Sequence, residues 1–114
     1  MRWASDRMEV YEPAAWTSVA TIRQYGEFAA RGDPGAAAQA WTDAGFDDAM
    51  TARWLAARCF DAPAARALAD MDVAPEQAAK RTRDGGGYVD TIAYKVANGD
   101  LTARQAAART LSSR

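Results

Sequence analysis

The stretch Trp41-Thr42-Asp43-Ala44-Gly45-Phe46-Asp47-Asp48 contains the pattern that decides the fold of this chain. A glycine closes one helix, a bulky apolar residue follows, and an aspartate caps the next helix. A more general form of this pattern, a bulky apolar residue followed by a helix-capping position and an alanine-rich turn of helix, is shared by Phe46-Asp47-Asp48-Ala49, Phe60-Asp61-Ala62-Pro63, Val73-Ala74-Pro75-Glu76 and Leu101-Thr102-Ala103-Arg104. Phe46 and Phe60 are expected to pack over the following turn as hydrophobic staples, and further caps are expected at Asp33 and, as a capping box with Gln105, at Thr102.

The chain has 114 residues, the length of one domain, and 29 of them are alanine. Small side chains let helices approach closely, and large aromatic side chains such as Trp41, Trp54 and Tyr94 are expected to fill the core. Helices of about ten residues are marginal alone in water, so they must share that core. We predict an all-α fold, a compact single-domain bundle of six to eight short helices with short capped turns over residues 1–114.

Four segments divide the predicted domain. Residues 1–13 form an N-terminal arm that stops at a proline, because proline disfavours helix in the preceding residue. Helical repeats follow over 14–83, a glycine-rich connector over 84–87, and a basic C-terminal helical hairpin over 88–114.

Two segments of the chain yield more detailed predictions. Apolar residues at spacings of three and four predict the longest helix from Ala14 to about Ala30, with Gly26 allowing a neighbouring helix to approach. A later helix is expected from Pro75 to about Arg83. Residues 88–97 are compatible with a strand, but a lone strand would have no partner, so we favour a helix there.

The composition excludes several kinds of catalytic site. The chain has no histidine and one cysteine, which removes the usual nucleophilic triads, histidine-containing zinc sites and an internal disulfide. The triple glycine at 85–87 lacks the Lys and Ser/Thr of a phosphate-binding loop. Asp47 is explained as a helix cap, and Asp70 and Asp72 as residues at a helix end. We therefore expect no catalytic residues, no cofactor and no metal, and a protein that is not an enzyme.

The expected location is the cytoplasm. The sequence does not begin with the basic and then apolar run of a secretory signal, and a single cysteine suits a reducing compartment. No apolar stretch approaches the roughly 20 residues that span a bilayer, so no membrane association is expected.

Charge is unevenly distributed along the chain. Residues 1–79 carry 7 basic and 12 acidic side chains, whereas residues 80–114 carry 7 basic and 3 acidic ones. A basic face in the C-terminal third is a candidate binding surface for nucleic acid. Its candidate contacts are Lys80, Arg81, Arg83, Lys95, Arg104 and Arg109. Trp3 and Trp16, near the N-terminal arm, are the candidate anchors for a protein partner.

Two local patterns resemble those of known proteins. The W-x-x-A-G-F phrase at 41–46 resembles short helical repeats of uncharacterised bacterial and phage proteins, a resemblance that implies no activity. The phrase Gly99-Asp100-Leu101-Thr102-x-x-Gln105-Ala106-Ala107, within the local resemblance at 99–108, is similar to the opening of helix-turn-helix domains in transposases and regulators. There it usually begins the first helix of the motif, whereas here the chain ends soon afterwards.

The sequence favours a non-enzymatic interaction or regulatory module that binds a protein partner or another copy of itself. The alternative is a DNA-binding protein that uses the helix-turn-helix-like, basic C-terminal third. In that case Thr102 would start a recognition helix from which Arg104 and Arg109 reach the DNA.

Overall fold

The computed structural model describes residues 16–112 of the chain. Within this part the fold is all-α, as predicted, with eight short helices and one very small hairpin of strands. The helices are α1 (Val19–Gln24), α2 (Gly26–Ala30), α3 (Pro34–Asp43), α4 (Asp48–Ala56), α5 (Ala62–Asp70), α6 (Pro75–Ala78), α7 (Ile92–Ala97) and α8 (Ala103–Ser112). The strands are β1 (Arg81–Thr82) and β2 (Asp90–Thr91). The predicted N-terminal arm lies outside the described residues.

The predicted helix caps are present. Asp33, Asp47 and Asp61 each accept a hydrogen bond from the backbone N–H three residues later, at 3.1, 2.8 and 3.0 Å. Thr102 and Gln105 form the reciprocal capping box at the start of α8, with bonds of 2.9 and 3.0 Å. These signals are local in sequence, so they specify the helix starts without help from distant residues.

One type of turn ends four of the helices. In each turn, one residue adopts the left-handed conformation. The backbone N–H of the residue that follows it donates to the carbonyl five residues before the donor in the sequence. The left-handed residues are Gly45, Arg58, Asp72 and Gly99. The returning N–H groups belong to Phe46, Cys59, Val73 and Asp100.

The second of these turns corrects the expected position of a staple residue. Phe46, Cys59 and Val73 follow the left-handed residue in equivalent places, and all three are buried. Phe60 was expected to have this role, but it comes one position later and is only half-buried. Cys59 takes its place in the core because the turn geometry, rather than side-chain size, decides which residue points inward.

The predicted long helix from Ala14 to Ala30 is wrong. Tyr25 and Gly26 interrupt it, and Gly26 has a φ of +84°, which an L-residue with a side chain rarely adopts. A Cβ placed on Gly26 would meet nothing within 4 Å, so this glycine serves the bend and not the close approach of another helix. Among the described residues, the longest helices are α3 and α8, with 10 residues each.

The segment around the glycines also differs from the prediction. Helix α6 ends at Ala78 instead of continuing to Arg83, and β1 pairs antiparallel with β2, with Arg81 opposite Thr91. The expected connector at 84–87 therefore lies in the loop of a β-hairpin. The helix predicted over 88–97 begins only at Ile92, because β1 provides the strand partner that the sequence pattern did not reveal.

The core is built from large side chains among many alanines. Trp41, Trp54, Ile22, Leu68 and Ile92 are almost completely buried, so the prediction that both tryptophans are core residues is confirmed. Phe46 lies between the two indoles, with ring centroids 5.5 Å from Trp41 and 6.4 Å from Trp54. Helix α5 packs against α3 on one side and against α7 and α8 on the other.

A polar cluster attaches the start of α1 to α4. Asp48 accepts hydrogen bonds from the backbone N–H and hydroxyl of Ser18, at 2.7 and 3.0 Å, and from the hydroxyl of Thr21 at 2.7 Å. The bond from the Ser18 backbone and the bond from the Thr21 hydroxyl lower the pKa of the Asp48 carboxyl. These contacts join residues about 30 positions apart in the sequence.

Candidate interaction surface

Five side chains form a continuous row on the surface, which we call the aromatic strip: Tyr88, Tyr94, Arg58, Phe60 and Phe28. The ring centroids of Tyr88 and Tyr94 are 6.4 Å apart in an edge-on arrangement. The guanidinium carbon of Arg58 lies 5.0 Å from the centroid of Tyr94 and 5.7 Å from that of Phe60. Phe60 stacks on Phe28 with centroids 5.8 Å apart. The strip thus has one cation between two pairs of aromatic rings, and both the ring–ring and the cation–ring contacts are attractive.

Arg58 is held in the strip by the hairpin. Its Nε and Nη2 donate to the two carboxylate oxygens of Asp90 at 2.8 and 3.0 Å. Burial of Asp90 raises the pKa of its carboxyl, but the bonds from Arg58 and from the Thr91 N–H outweigh this effect and leave that pKa below its usual value. The hydrogen bonds that Arg58 donates to Asp90 raise the pKa of Arg58 in turn. The guanidinium is therefore fixed in place with its charge balanced.

The backbone of Arg58 also adopts an uncommon conformation. Its φ is +66°, at a turn position where glycine is the usual residue. A non-glycine residue in this conformation costs roughly 1–2 kcal/mol. The contacts of its side chain with Asp90, Tyr94 and Phe60 offset this cost. Glycine at this position would lose all three contacts.

The ring of Phe60 lies at the surface because the preceding residue, Cys59, occupies the core position. Cys59 is buried, and this burial raises the pKa of its thiol to about 12. A thiol in this state is neither a metal ligand nor a nucleophile at neutral pH. The chain therefore uses Cys59 as a small core residue and presents the Phe60 ring at the surface.

Phe28 marks the most exposed end of the strip. Its side chain is 71% exposed, the largest value among the exposed large apolar residues of the described part. A groove of about 380 Å³ lies beside it. The groove is lined by Glu27, Phe28, Arg31, Phe60, Tyr94, Ala97 and Asn98. Tyr94, which was expected in the core, is only half-buried and forms one wall of this groove.

A second groove, of about 590 Å³, is larger but offers less to a partner. The aromatic side chains that line it, Phe46 and Trp54, are already buried in the core. At its rim, Arg53 is paired with Glu76 at 2.5 Å and Arg66 with Asp70 at 2.9 Å. The bonds from Arg53 lower the pKa of Glu76 to about 2. Because both arginines at its rim are paired with carboxylates and its aromatic rings are buried, this groove is a weaker candidate for partner binding than the groove beside Phe28.

The structure contradicts the assignment of Lys95 as a nucleic-acid contact. Lys95 is completely buried, and its ammonium group donates to the carbonyl oxygens of Asp84 at 2.6 Å and Gly85 at 3.0 Å, and to that of Tyr88. The ammonium nitrogen also lies 4.0 Å from the centroid of the Tyr88 ring. Its three hydrogens are matched by three carbonyls, so none remains for a phosphate.

The other predicted basic contacts have different environments. Arg109 donates to the carboxylate of Asp84 at 2.8 Å, which lowers the pKa of that aspartate, and Arg83 donates to the Gly87 carbonyl at 3.3 Å. Lys80, Arg81 and Arg104 are exposed, and the structure shows no ion pair for them with any described residue. Of the predicted partner anchors, Trp16 is 54% exposed, and Trp3 lies outside the described residues.

Sequence reasoning did not find the strip as a unit. Phe28 is exposed although Ala29, the next residue of α2, is buried, and its position off the apolar face was the one available signal. Arg58 gave no signal, because its partner Asp90 is 32 positions away. Among residues 16–110, no three acidic, cysteine or histidine side chains come together in a metal-binding arrangement.

Comparison with known proteins gives no match to a family model, to a curated protein or to a solved structure. In the described part of the chain, the helices are too short or too polar to cross a membrane.

Proposed function

We propose that this chain is a non-enzymatic interaction module that binds a protein through the aromatic strip. The observation that carries the proposal is Phe28, a large apolar side chain that is mostly exposed although it stacks on a second ring. Aromatic and arginine side chains are enriched among the residues that contribute most to protein interfaces. The strip combines four such rings with Arg58.

The centre of the strip, Arg58, is also held in place by contacts within the chain. Arg58 is bound by both oxygens of Asp90, and its guanidinium is placed between Tyr94 and Phe60. Binding therefore costs little conformational entropy for ordering the Arg58 side chain, and this preorganisation favours binding. Two properties support a role other than catalysis: the sequence has no histidine, and the single thiol is buried with a pKa of about 12.

The test compares three single substitutions in a binding experiment. The immobilised chain is exposed to extract from its native host, and retained proteins are identified for wild type, Phe28→Ser, Trp16→Ser and Tyr25→Ser. Light scattering on each purified protein reports self-association. We expect Phe28→Ser to abolish binding and Tyr25→Ser, which changes an exposed aromatic outside the strip, to preserve it. Loss with Trp16→Ser alone would move the site to Trp16. Unchanged binding by Phe28→Ser would refute the proposed role of the strip.

DNA binding by the C-terminal third is the second candidate function. It is favoured by the exposed cations Lys80, Arg81 and Arg104, and by the two contacting helices α7 and α8, which a short turn joins. Arg83 is a fourth exposed cation. Four phosphate contacts would give a slope of about −3.6 for the logarithm of the binding constant against the logarithm of salt concentration.

Duplex DNA binding measured at several salt concentrations tests this alternative. Changing Lys80, Arg81, Arg83 and Arg104 together to alanine should flatten the slope, whereas changing Arg23 and Arg31, which lie in the acidic part of the chain, should not. No binding at about 50 mM salt, where phosphate contacts are strongest, would eliminate it.

A further inference from the structure

We infer that the partner at the groove beside Phe28 is a second copy of this chain, which pairs with the first across a two-fold axis through α2. The inference rests on the proposed function, because it names the protein that the aromatic strip binds. Two observations carry it: the shape of the groove, and the charges on either side of Phe28.

The groove matches a single aromatic side chain. Its volume of about 380 Å³ is near the lower end of the range for ligand sites, which suits one ring better than an extended peptide. Two aromatic side chains, Phe60 and Tyr94, and the methyl group of Ala97 contribute to its lining. Phe28 borders the same groove and is mostly exposed. A two-fold arrangement therefore lets Phe28 of each copy enter the groove of the other.

The groove carries one acidic and one basic side chain, which complement those of the same groove on a second copy of the chain. Glu27 and Arg31 flank Phe28 in the sequence, and both line the groove. Glu27 has no ion pair with a described residue. Arg31 has a φ of +52°, and its guanidinium donates to the Phe60 carbonyl at 3.1 Å and lies 3.8 Å from the carboxylate of Asp61. Its side chain remains 59% exposed.

Pairing across a two-fold axis brings both the acidic and the basic side chain of each copy into the interface. In such an interface, a residue that contacts another across the axis is contacted by it in return. With two α2 helices antiparallel, Glu27 of one copy lies opposite Arg31 of the other, and the pair occurs twice. An opposite charge on each side of one exposed ring is thus the pattern that a self-complementary surface needs. A partner with an acidic or a basic surface would complement only one of the two.

Sedimentation equilibrium on the full chain tests the inference through charge reversal. We expect wild type to show a concentration-dependent monomer–dimer equilibrium. Glu27→Arg alone and Arg31→Glu alone should each weaken dimerisation roughly tenfold, because two attractive pairs become repulsive. The double variant should dimerise like wild type. An equimolar mixture of the two single variants should form a mixed dimer, since every pair across the axis is again opposite in charge.

Phe28→Ser and Arg23→Glu serve as controls, and circular dichroism confirms that each variant is folded. Phe28→Ser should be monomeric, and Arg23→Glu, an exposed change outside the groove, should behave like wild type. A monomeric wild type overturns the inference, as does dimerisation that is unaffected by either charge reversal. A different outcome is a monomeric wild type that captures a protein from the host extract, where Phe28→Ser captures none. The strip then binds a different protein, so the proposed function stands and only the self-pairing fails.

Discussion

The buried ammonium group of Lys95 lies inside the glycine-rich loop and holds its backbone in place. Its ammonium group binds three carbonyls of that loop, at Asp84, Gly85 and Tyr88. The loop also needs glycine at position 85, because the φ there is +74° and a Cβ would lie 2.8 Å from the Asp100 carbonyl oxygen. Replacing Lys95 by methionine keeps most of the apolar stem but leaves three acceptors without a donor. We predict that Lys95→Met lowers the free energy of unfolding by roughly 2–4 kcal/mol, measured by urea denaturation.

Lys80→Met is the matched control for this prediction. Lys80 is exposed at the start of the hairpin, so its replacement should change the free energy of unfolding by less than about 0.5 kcal/mol. Equal effects of the two substitutions would show that the buried ammonium contributes nothing specific. Lysine at position 95 was assigned to the surface because most lysines lie there, and a cage of carbonyls formed by a loop has no signature in the sequence.

At the scale of elements, the four recurring turns make different use of their left-handed residue. Glycine occupies it in two turns, Asp72 has a φ of +64° and is exposed, and Arg58 has a φ of +66° and binds Asp90. Glycine at either position would relieve the backbone. We predict that Asp72→Gly raises the free energy of unfolding by about 0.5–1 kcal/mol, whereas Arg58→Gly lowers it by about 1–2 kcal/mol, because only the latter loses side-chain contacts. Thermal and urea unfolding measure the change in the free energy of unfolding for each variant. Changes of the same sign in the two variants would contradict the prediction.

The elements that the sequence predicted are those with local signals. Each helix cap depends on residues within one stretch of four. The structure contains all of the caps expected at Asp33, Asp47, Asp61 and Thr102. The hairpin was missed because each strand has two residues, and their pairing spans the loop between Thr82 and Asp90. The bend at Gly26 was missed because an apolar spacing of three and four continues across it. The aromatic strip joins residues from four separate segments, so no single stretch of sequence contains it.

For the whole molecule, two aspartates connect distant parts of the chain and link its stability to pH. Asp48 holds the start of α1 on α4, and Asp90 holds the hairpin on the turn after α4. Both carboxyl groups have a lowered pKa in the folded state. Such groups stabilise the fold at pH values above the unfolded pKa of about 3.9, and this contribution is lost as the pH falls through the folded pKa. Acid should therefore weaken both connections together.

We predict that Asp48→Asn lowers the free energy of unfolding at pH 7 by about 1 kcal/mol and also reduces its dependence on pH below about pH 4. The carbonyl oxygen of asparagine can replace the single Asp48 oxygen that accepts all three hydrogen bonds, but it accepts them without a negative charge and does not titrate. Urea unfolding at a series of pH values gives the measurement, with Asp43→Asn at the exposed end of α3 as the control. A pH profile for Asp48→Asn parallel to that of wild type would show that this carboxylate does not link stability to pH.

The burial of Cys59 makes the native protein resistant to thiol alkylation. The sulfur lies in the core with a pKa of about 12, so a reagent such as iodoacetamide can reach it as a thiolate only after the turn between α4 and α5 opens. Labelling rates would then report the free energy of that opening. A value equal to the free energy of unfolding in urea would mean that this turn opens only when the entire domain unfolds. A smaller value would identify a local fluctuation that exposes Cys59 next to the Phe60 ring.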